Sequence, residues 1–361
     1  MSMNGLYLLI GAFLVVGVVV YIFYPALVAA ASPHIASQQE EVQKAEASRE
    51  AAPKRILLSL VIPAYNEQDR LTQMLQEAYS YLTSPDCPAL RSLAAAASPQ
   101  DSATEQASSL AVEFILVDDG SRDNTIMVYR QFCHQVATRR KTRLSSTTIV
   151  SFRLVRLSTN RGKGAAVQAG MMAAVGGIHD DKQVDNTTAS FMLMVDADGA
   201  TEFGPGLAAL ATQAATHDCI LGSRATTDDH TVKRSRLRQA LQAGFHWLVV
   251  FLVGMHKHNT AIRDTQCGFK LFRGSIVSAL FGDLHLRRWA FDTELLYRAR
   301  DLRLAEVPVP WHEVAGSKLH TGPLSLARVA VGMLRDMLCV RLCYTLGIWR
   351  LPSMETTKKE Q

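Results

Sequence analysis

The sequence predicts an α/β protein built on a doubly wound, mostly parallel sheet. Three observations carry that expectation. Apolar runs of strand length alternate with runs of helix length from Ile56 onward. Three of the apolar runs end in polar clusters, Pro63–Glu67, Asp118–Ser121 and Asp196–Gly199. Ligands of open α/β sheets bind beyond the carboxyl ends of the strands, which is where these clusters fall.

The elements follow in order. Leu57–Ile62 reads as a strand and Glu67–Leu82 as an amphipathic helix. Val112–Val117 is the next strand and Asn124–His134 the next helix. Arg153–Leu157, Phe191–Val195 and Cys219–Gly222 read as strands, with Gly164–Val175 as a helix after the first of them. Two inserts, 84–109 and 179–189, are rich in small or polar residues and are expected to be surface loops.

Ahead of this pattern, no Asp, Glu, Lys or Arg precedes Glu40, and Leu6–Phe23 is almost purely apolar. A bilayer-spanning helix needs about 20 apolar residues. A cleaved signal would have a basic start and a shorter core. The expected organisation is a transmembrane anchor over 1–31, a polar stalk over 32–55, a globular domain over 56–322 and an amphipathic interface helix with a polar tail over 323–361. Lys44, Arg49, Lys54 and Arg55 follow the span and nothing basic precedes it, which favours a cytosolic domain.

Composition narrows the function classes. The 361 residues are 48% apolar, enough for a substantial core, and the net charge of +5 suits anionic partners. Six scattered cysteines form no CxxC pair, which argues against zinc and against a disulfide framework. The 33 acidic residues dilute the basic ones, so no nucleic-acid partner is expected.

Asp196 and Asp198 flank a single residue at a strand end, where two carboxylates can share a hard divalent cation that also grips a diphosphate. An Asp after a strand is also a common helix cap, so each cluster alone is a weak signal. Arg161 and Lys163 occupy a Gly-flanked turn before a helix, a place to meet phosphate or simply to start the helix. Arg224 follows a strand, and Lys233, Arg234, Arg236 and Arg238 crowd the segment after it. Those cations suit a doubly anionic acceptor, or equally a face turned toward anionic lipid.

Together, Pro63-Ala-Tyr-Asn-Glu67, Asp118-Asp-Gly-Ser121 and Asp196-Ala-Asp198 resemble the inverting GT-A glycosyltransferases of family two. Asn160-Arg-Gly-Lys-Gly164, Gly222-Ser-Arg224, Arg263-Asp-Thr-Gln-Cys-Gly-Phe-Lys270, Arg288-Trp-Ala-Phe-Asp292 and Gly316-Ser-Lys318 narrow the likeness to the dolichyl-phosphate β-glucosyltransferases. The resemblance implies a GT-A fold and transfer of glucose from UDP-glucose to dolichyl phosphate with inversion. It implies a single-pass protein of the endoplasmic reticulum membrane that supplies lipid-linked glucose for protein N-glycosylation. The lipid bilayer is then a partner, and a homo-oligomer is left open.

The resemblance also assigns residues. Pro63, Tyr65 and Glu67 would frame the uracil, with Asp119 near base and ribose and Lys163 near phosphate. Asp196 and Asp198 would hold Mg²⁺ or Mn²⁺. Read from the charge pattern rather than from the resemblance, Arg224, Lys233, Arg234 and Lys270 would receive the acceptor phosphate. Asp198, Asp264, Arg224 and Lys270 are the expected catalytic group, with Asp264 as an orienter of a cation or as a base. Related mannose synthases have a Gln where this chain has Ala200, so water or phosphate oxygen would complete the metal shell. Another polyprenyl-phosphate glycosyltransferase, such as a mannose synthase, is the nearest rival.

Two segments bear on membrane contact. Phe245–Met255 is too short to span and reads as a core helix or a shallow insertion. Leu324–Leu351 has helical periodicity and reads as an interfacial helix or as one packed on the sheet.

Overall fold

Continuous apolar runs, rather than alternating ones, form strands that are covered on both faces. In the computed structural model, which describes residues 3–31, 41–44, 56–97, 110–140, 148–176, 189–224, 262–314 and 323–351, these runs build the middle of an eight-stranded sheet. The strands are β1 (Glu41–Lys44), β2 (Leu58–Ala64), β3 (Leu110–Asp118), β4 (Thr148–Arg156), β5 (Phe191–Val195), β6 (Cys219–Ser223), β7 (Phe269–Arg273) and β8 (Leu304–Pro308). Their spatial order is β1-β4-β3-β2-β5-β7-β6-β8. The run β4-β3-β2-β5 is parallel, β6 and β8 pair in parallel, and β7 is antiparallel to both its neighbours.

The helices are α1 (Met3–Ala31), α2 (Leu71–Leu82), α3 (Pro88–Ala97), α4 (Thr125–Arg140), α5 (Lys163–Val175), α6 (Phe203–Ala211), α7 (Gly274–Phe281), α8 (Phe291–Arg298) and α9 (Pro323–Thr345). Alternate residues of each strand face opposite sides of the sheet. Leu60, Ile62, Phe114 and Leu193 therefore pack with α2, α3, α4 and α6, whereas Val61, Ile115, Val117 and Met194 pack with α5, α7, α8 and α9. The doubly wound expectation holds for this arrangement, with β1 and β7 as antiparallel exceptions.

Two expectations need correction. The insert 84–109 is not loop throughout: α3 buries Ala89, Leu90, Leu93 and Ala96. Alanine has the highest helix propensity, and its small face lets α3 lie close to α6. The stalk likewise contributes β1, which pairs antiparallel with β4 at the sheet edge. The insert 179–189 (189 aside), Phe245–Met255 and Gly316–Lys318 lie outside the described residues.

The end of α9 packs on the domain, burying Tyr344 and, just beyond it, Trp349. Toward its middle α9 meets α1: the Arg335 guanidinium lies 5.3 Å from the Tyr21 ring and 5.7 Å from that of Tyr24. Beside this contact both helices expose apolar side chains, among them Val18, Val19, Leu27, Val331 and Leu334. The side chains of α1 are described from Val15 on. Among the described residues no helix is long and apolar enough to cross a membrane.

Candidate active site

The carboxyl ends of β2, β3 and β5 are adjacent because those strands pair in parallel. The three polar clusters therefore converge on one edge of the sheet. After β2 the chain turns at Asn66, whose φ is +54°, and hydrogen bonds join it to the loop after β3. Asn66 N–H donates to Ser121 Oγ at 2.9 Å, and Glu67 N–H donates to Thr125 Oγ1 at 2.7 Å. The Glu67 carboxylate is held by Arg70 through two hydrogen bonds of 2.8 and 2.7 Å. Arg70 in turn reaches to 3.6 Å from Asp198 Oδ2. Glu67 thus aims a cation at Asp198, a role the sequence reading did not foresee.

Asp119 is buried, and both its oxygens accept backbone amides, from Arg161 at 2.7 Å and Gly162 at 2.8 Å. Burial raises its carboxyl pKa against those donors. Gly162 has φ +101°, and a Cβ there would lie 2.6 Å from the Arg287 carbonyl oxygen, so only glycine fits. Asp119 therefore fixes the turn that launches α5 and delivers Lys163.

Lys163 Nζ lies 2.6 Å from Asp196 Oδ1. Burial alone would lower its pKa, but the carboxylates of Asp196 and Asp292 outweigh burial and raise it. The Lys163 ammonium also sits 5.7 Å from the ring of the exposed Trp289. Asp198 accepts Ala200 N–H at 3.0 Å, and the Ala200 side chain offers no ligand atom. Both carboxylates remain partly accessible, with side-chain exposures of 33% and 29%.

The segment before β7 supports this pair from the other side. Asp196 N–H donates to the Gly268 carbonyl at 3.2 Å, and a Cβ on Gly268 would fall 2.0 Å from Asp196 Oδ2. Four residues earlier Asp264 grips Arg224 through Nε at 2.7 Å, Nη2 at 2.8 Å and backbone N–H at 2.9 Å. Burial would raise the Asp264 pKa, but these bonds prevail and hold it below the usual carboxylate range. The Arg224 guanidinium lies 5.7 Å from the Trp311 ring. Glu306 on β8 accepts the amides of Arg263 and Asp264, each at 2.8 Å, and so holds the segment to the sheet.

Lys270 departs from expectation. It is fully buried in β7, donates to the Thr265 carbonyl at 3.0 Å and pairs with the buried carboxylate of Asp292. An ammonium so enclosed positions Asp292 and the Thr265 turn rather than receiving an acceptor. Lys233 and Arg234 lie outside the described residues. Pro63 is the next-to-last residue of β2, and Tyr65 follows the strand at the same edge.

Among the described residues no group of three or more His, Cys, Asp or Glu side chains could hold a metal ion. Asp196 and Asp198 present only two carboxylates there. Two hard carboxylate oxygens fit a divalent cation when substrate phosphate and water supply the rest. Lys163 and Arg70 already stand against these carboxylates, so a metal ion there would share their oxygens with both cations. Arg70, Gly268 and Trp311 were missed in the sequence. The i, i+3 spacing of Glu67 and Arg70 was the available signal for the first.

The family model for Glycosyl transferase family 2 matches residues 100–281. A dolichyl-phosphate β-glucosyltransferase of Dictyostelium discoideum is 35% identical over 306 residues, covering 82% of this chain and 78% of that protein. The Homo sapiens protein of the same name is 36% identical over 311 residues, covering 84% and 79%. A crystal structure of glucosyl-3-phosphoglycerate synthase from Mycobacterium tuberculosis, with Mn²⁺, UDP and glucosyl-3-phosphoglycerate, aligns with a TM-score of 0.46 at 14% identity, covering 82% and 81%.

Proposed function

The chain belongs to the dolichyl-phosphate β-glucosyltransferases of glycosyltransferase family 2, and from that premise we propose that it transfers glucose from UDP-glucose to dolichyl phosphate with inversion. The observation that carries the reading is the convergence of two accessible carboxylates, Asp196 and Asp198, with Lys163, Arg70 and Arg224 around one sheet edge. A site that brings a dianionic acceptor to a nucleotide diphosphate needs both a cation-binding pair and fixed positive charge.

Asp196 and Asp198 are the residues that would hold Mg²⁺ or Mn²⁺, whose chemistry there is to neutralise charge on the departing UDP. Lys163 supplies charge to the same diphosphate. Arg224, held rigid by Asp264, faces the acceptor phosphate as an oriented guanidinium. A phosphate monoester has a second pKa near about 6, so its oxygen is a nucleophile at neutral pH without a protein base. In the reaction that oxygen bonds to the anomeric carbon of glucose while the bond from that carbon to UDP breaks. Asp264 is engaged by three hydrogen bonds from Arg224, which suits it to orient rather than to accept a proton.

The reading places the protein in the endoplasmic reticulum membrane, anchored by Leu6–Phe23, with the catalytic domain in the cytosol and its product serving N-glycosylation. The apolar exposure of α1 and α9 supports membrane contact. The test is transfer from radiolabelled UDP-glucose, with GDP-mannose as comparator, to dolichyl phosphate. Equal or faster transfer of mannose contradicts the proposed donor.

A further inference from the structure

Gln168 lies about one and a half turns along α5 from Lys163 and lines a cavity of about 340 Å³ between α1 and the segment after α7. One wall is the small-residue face of α1, Ala26, Ala29 and Ala30. The opposite wall is polar, formed by Asp283, His285 and Arg287, and Trp349 and the exposed Ile348 form a lip. Leu27, next to the lining residue Ala26, and Leu346, two residues before the lining residue Ile348, are exposed.

The polar wall is rigid. The buried Glu294 carboxylate accepts the amides of His285 at 3.0 Å and Leu286 at 2.7 Å, His285 Nδ1 at 2.7 Å and the Tyr344 hydroxyl at 3.0 Å. Holding Nδ1 directs the Nε2 edge of the ring away from Glu294. The His285 ring stacks on Trp349 with centroids 4.0 Å apart. Burial, and then the like charge of Arg161, lower the Arg287 pKa. Asp283 is the one carboxylate in the lining.

We propose that this cavity binds the headgroup of an anionic membrane phospholipid, with the phosphate against Arg287 and His285 and the acyl chains along α1 and Ile348. Mixed walls suit the head of an amphiphile rather than a polyprenyl tail, and the apolar lip is continuous with the surface that meets lipid. A bound headgroup ties α1 to the segment that leads into Arg288 and Trp289, and so links lipid composition to the mouth of the site. The inference rests on the membrane-anchored reading above.

The test uses the full-length protein in vesicles of phosphatidylcholine with or without phosphatidylinositol, followed by native mass spectrometry of retained lipid. Wild type is expected to retain phosphatidylinositol over phosphatidylcholine by at least about fivefold, the scale of one basic residue at an anionic surface. Arg287→Gln and Ala30→Leu, the second of which narrows the cavity, should each bring that ratio close to unity while flotation with vesicles is unchanged. Equal retention of the two lipids by wild type, or an undiminished preference in both variants, overturns the proposal. Displacement of phosphatidylinositol by dolichyl phosphate also overturns it, because the cavity would then belong to the acceptor. Failure of wild type to float removes the anchored reading itself, an outcome distinct from all of these.

Discussion

The ammonium of Lys163 lies 2.6 Å from Oδ1 and 2.8 Å from Oδ2 of Asp196, so the carboxylate proposed to hold a metal already carries a cation. Charge alternates through the site, from Asp196 to Lys163 to Asp292 to Lys270. Each carboxylate in this row is flanked by a cation, so changing any one group alters the field on the next.

Asp196→Asn or Asp198→Asn should lower turnover by at least about two orders of magnitude, since stabilising a leaving diphosphate is worth several kcal/mol. Steady-state transfer assays with added Mg²⁺ or Mn²⁺ check this. Full activity of Asp198→Asn in excess EDTA removes the metal assignment.

Gly268→Ala should cost activity out of proportion to stability. The new methyl would fall 2.0 Å from Asp196 Oδ2 and force that carboxylate from its place. The expected result is an activity loss of about tenfold or more (roughly 1.4 kcal/mol), with a thermal midpoint near that of wild type. Wild-type turnover in this variant shows that the position of Asp196 does not matter.

Lys270→Met should destabilise the fold by about 3–5 kcal/mol, because it removes the ammonium bonded to the buried Asp292 and leaves Lys163 as its remaining counter-charge. Lys270→Met combined with Asp292→Leu should recover part of that loss, since an apolar pair has no uncompensated charge. Denaturant titrations of both variants decide the matter. A double variant less stable than Lys270→Met alone contradicts the pairing.

Much of this fold was legible because its central strands are uniformly apolar: β2, β3 and β5 are buried on both faces and end in the polar clusters that form the site. β7 was hidden because its second residue is Lys270, and a tertiary partner, Asp292, makes a buried lysine acceptable there. β8 was hidden because its residues are only half-buried and include Glu306. α3 was obscured by the flanking Ser and Pro of a segment whose helical part is half alanine. In the site, residue types at strand ends announced Asp196 and Asp198. The close approach of Gly268 and the grip of Asp264 on Arg224 depend on chain segments that meet only in three dimensions.

Arg224→Lys should raise the KM for dolichyl phosphate by about tenfold or more and change UDP-glucose binding less, because an ammonium cannot reproduce the two-pronged grip on Asp264. A shift confined to the UDP-glucose KM would instead put Arg224 on the donor.

Asp264 makes a separate claim on stability. Its folded pKa lies below the ordinary value of about 3.9. The stability it contributes is therefore present above that value and lost as pH falls through the folded pKa. The gap in unfolding free energy between wild type and Asp264→Asn should be constant near neutrality and close as pH drops below about 4. A gap that persists unchanged in strong acid shows that the carboxylate is not the source.

The central claim is that the acceptor phosphate is its own nucleophile, and the pH–rate profile of Asp264→Asn tests it most directly. A modest loss is expected, mainly in the dolichyl phosphate KM, with a rate that rises through the ionisation of the acceptor near about 6 and then levels off, as in wild type. A folded variant that binds both substrates normally yet loses turnover by about three orders of magnitude or more, beyond the range usual for removing one hydrogen-bonding group, would show that Asp264 takes a proton and would contradict the claim.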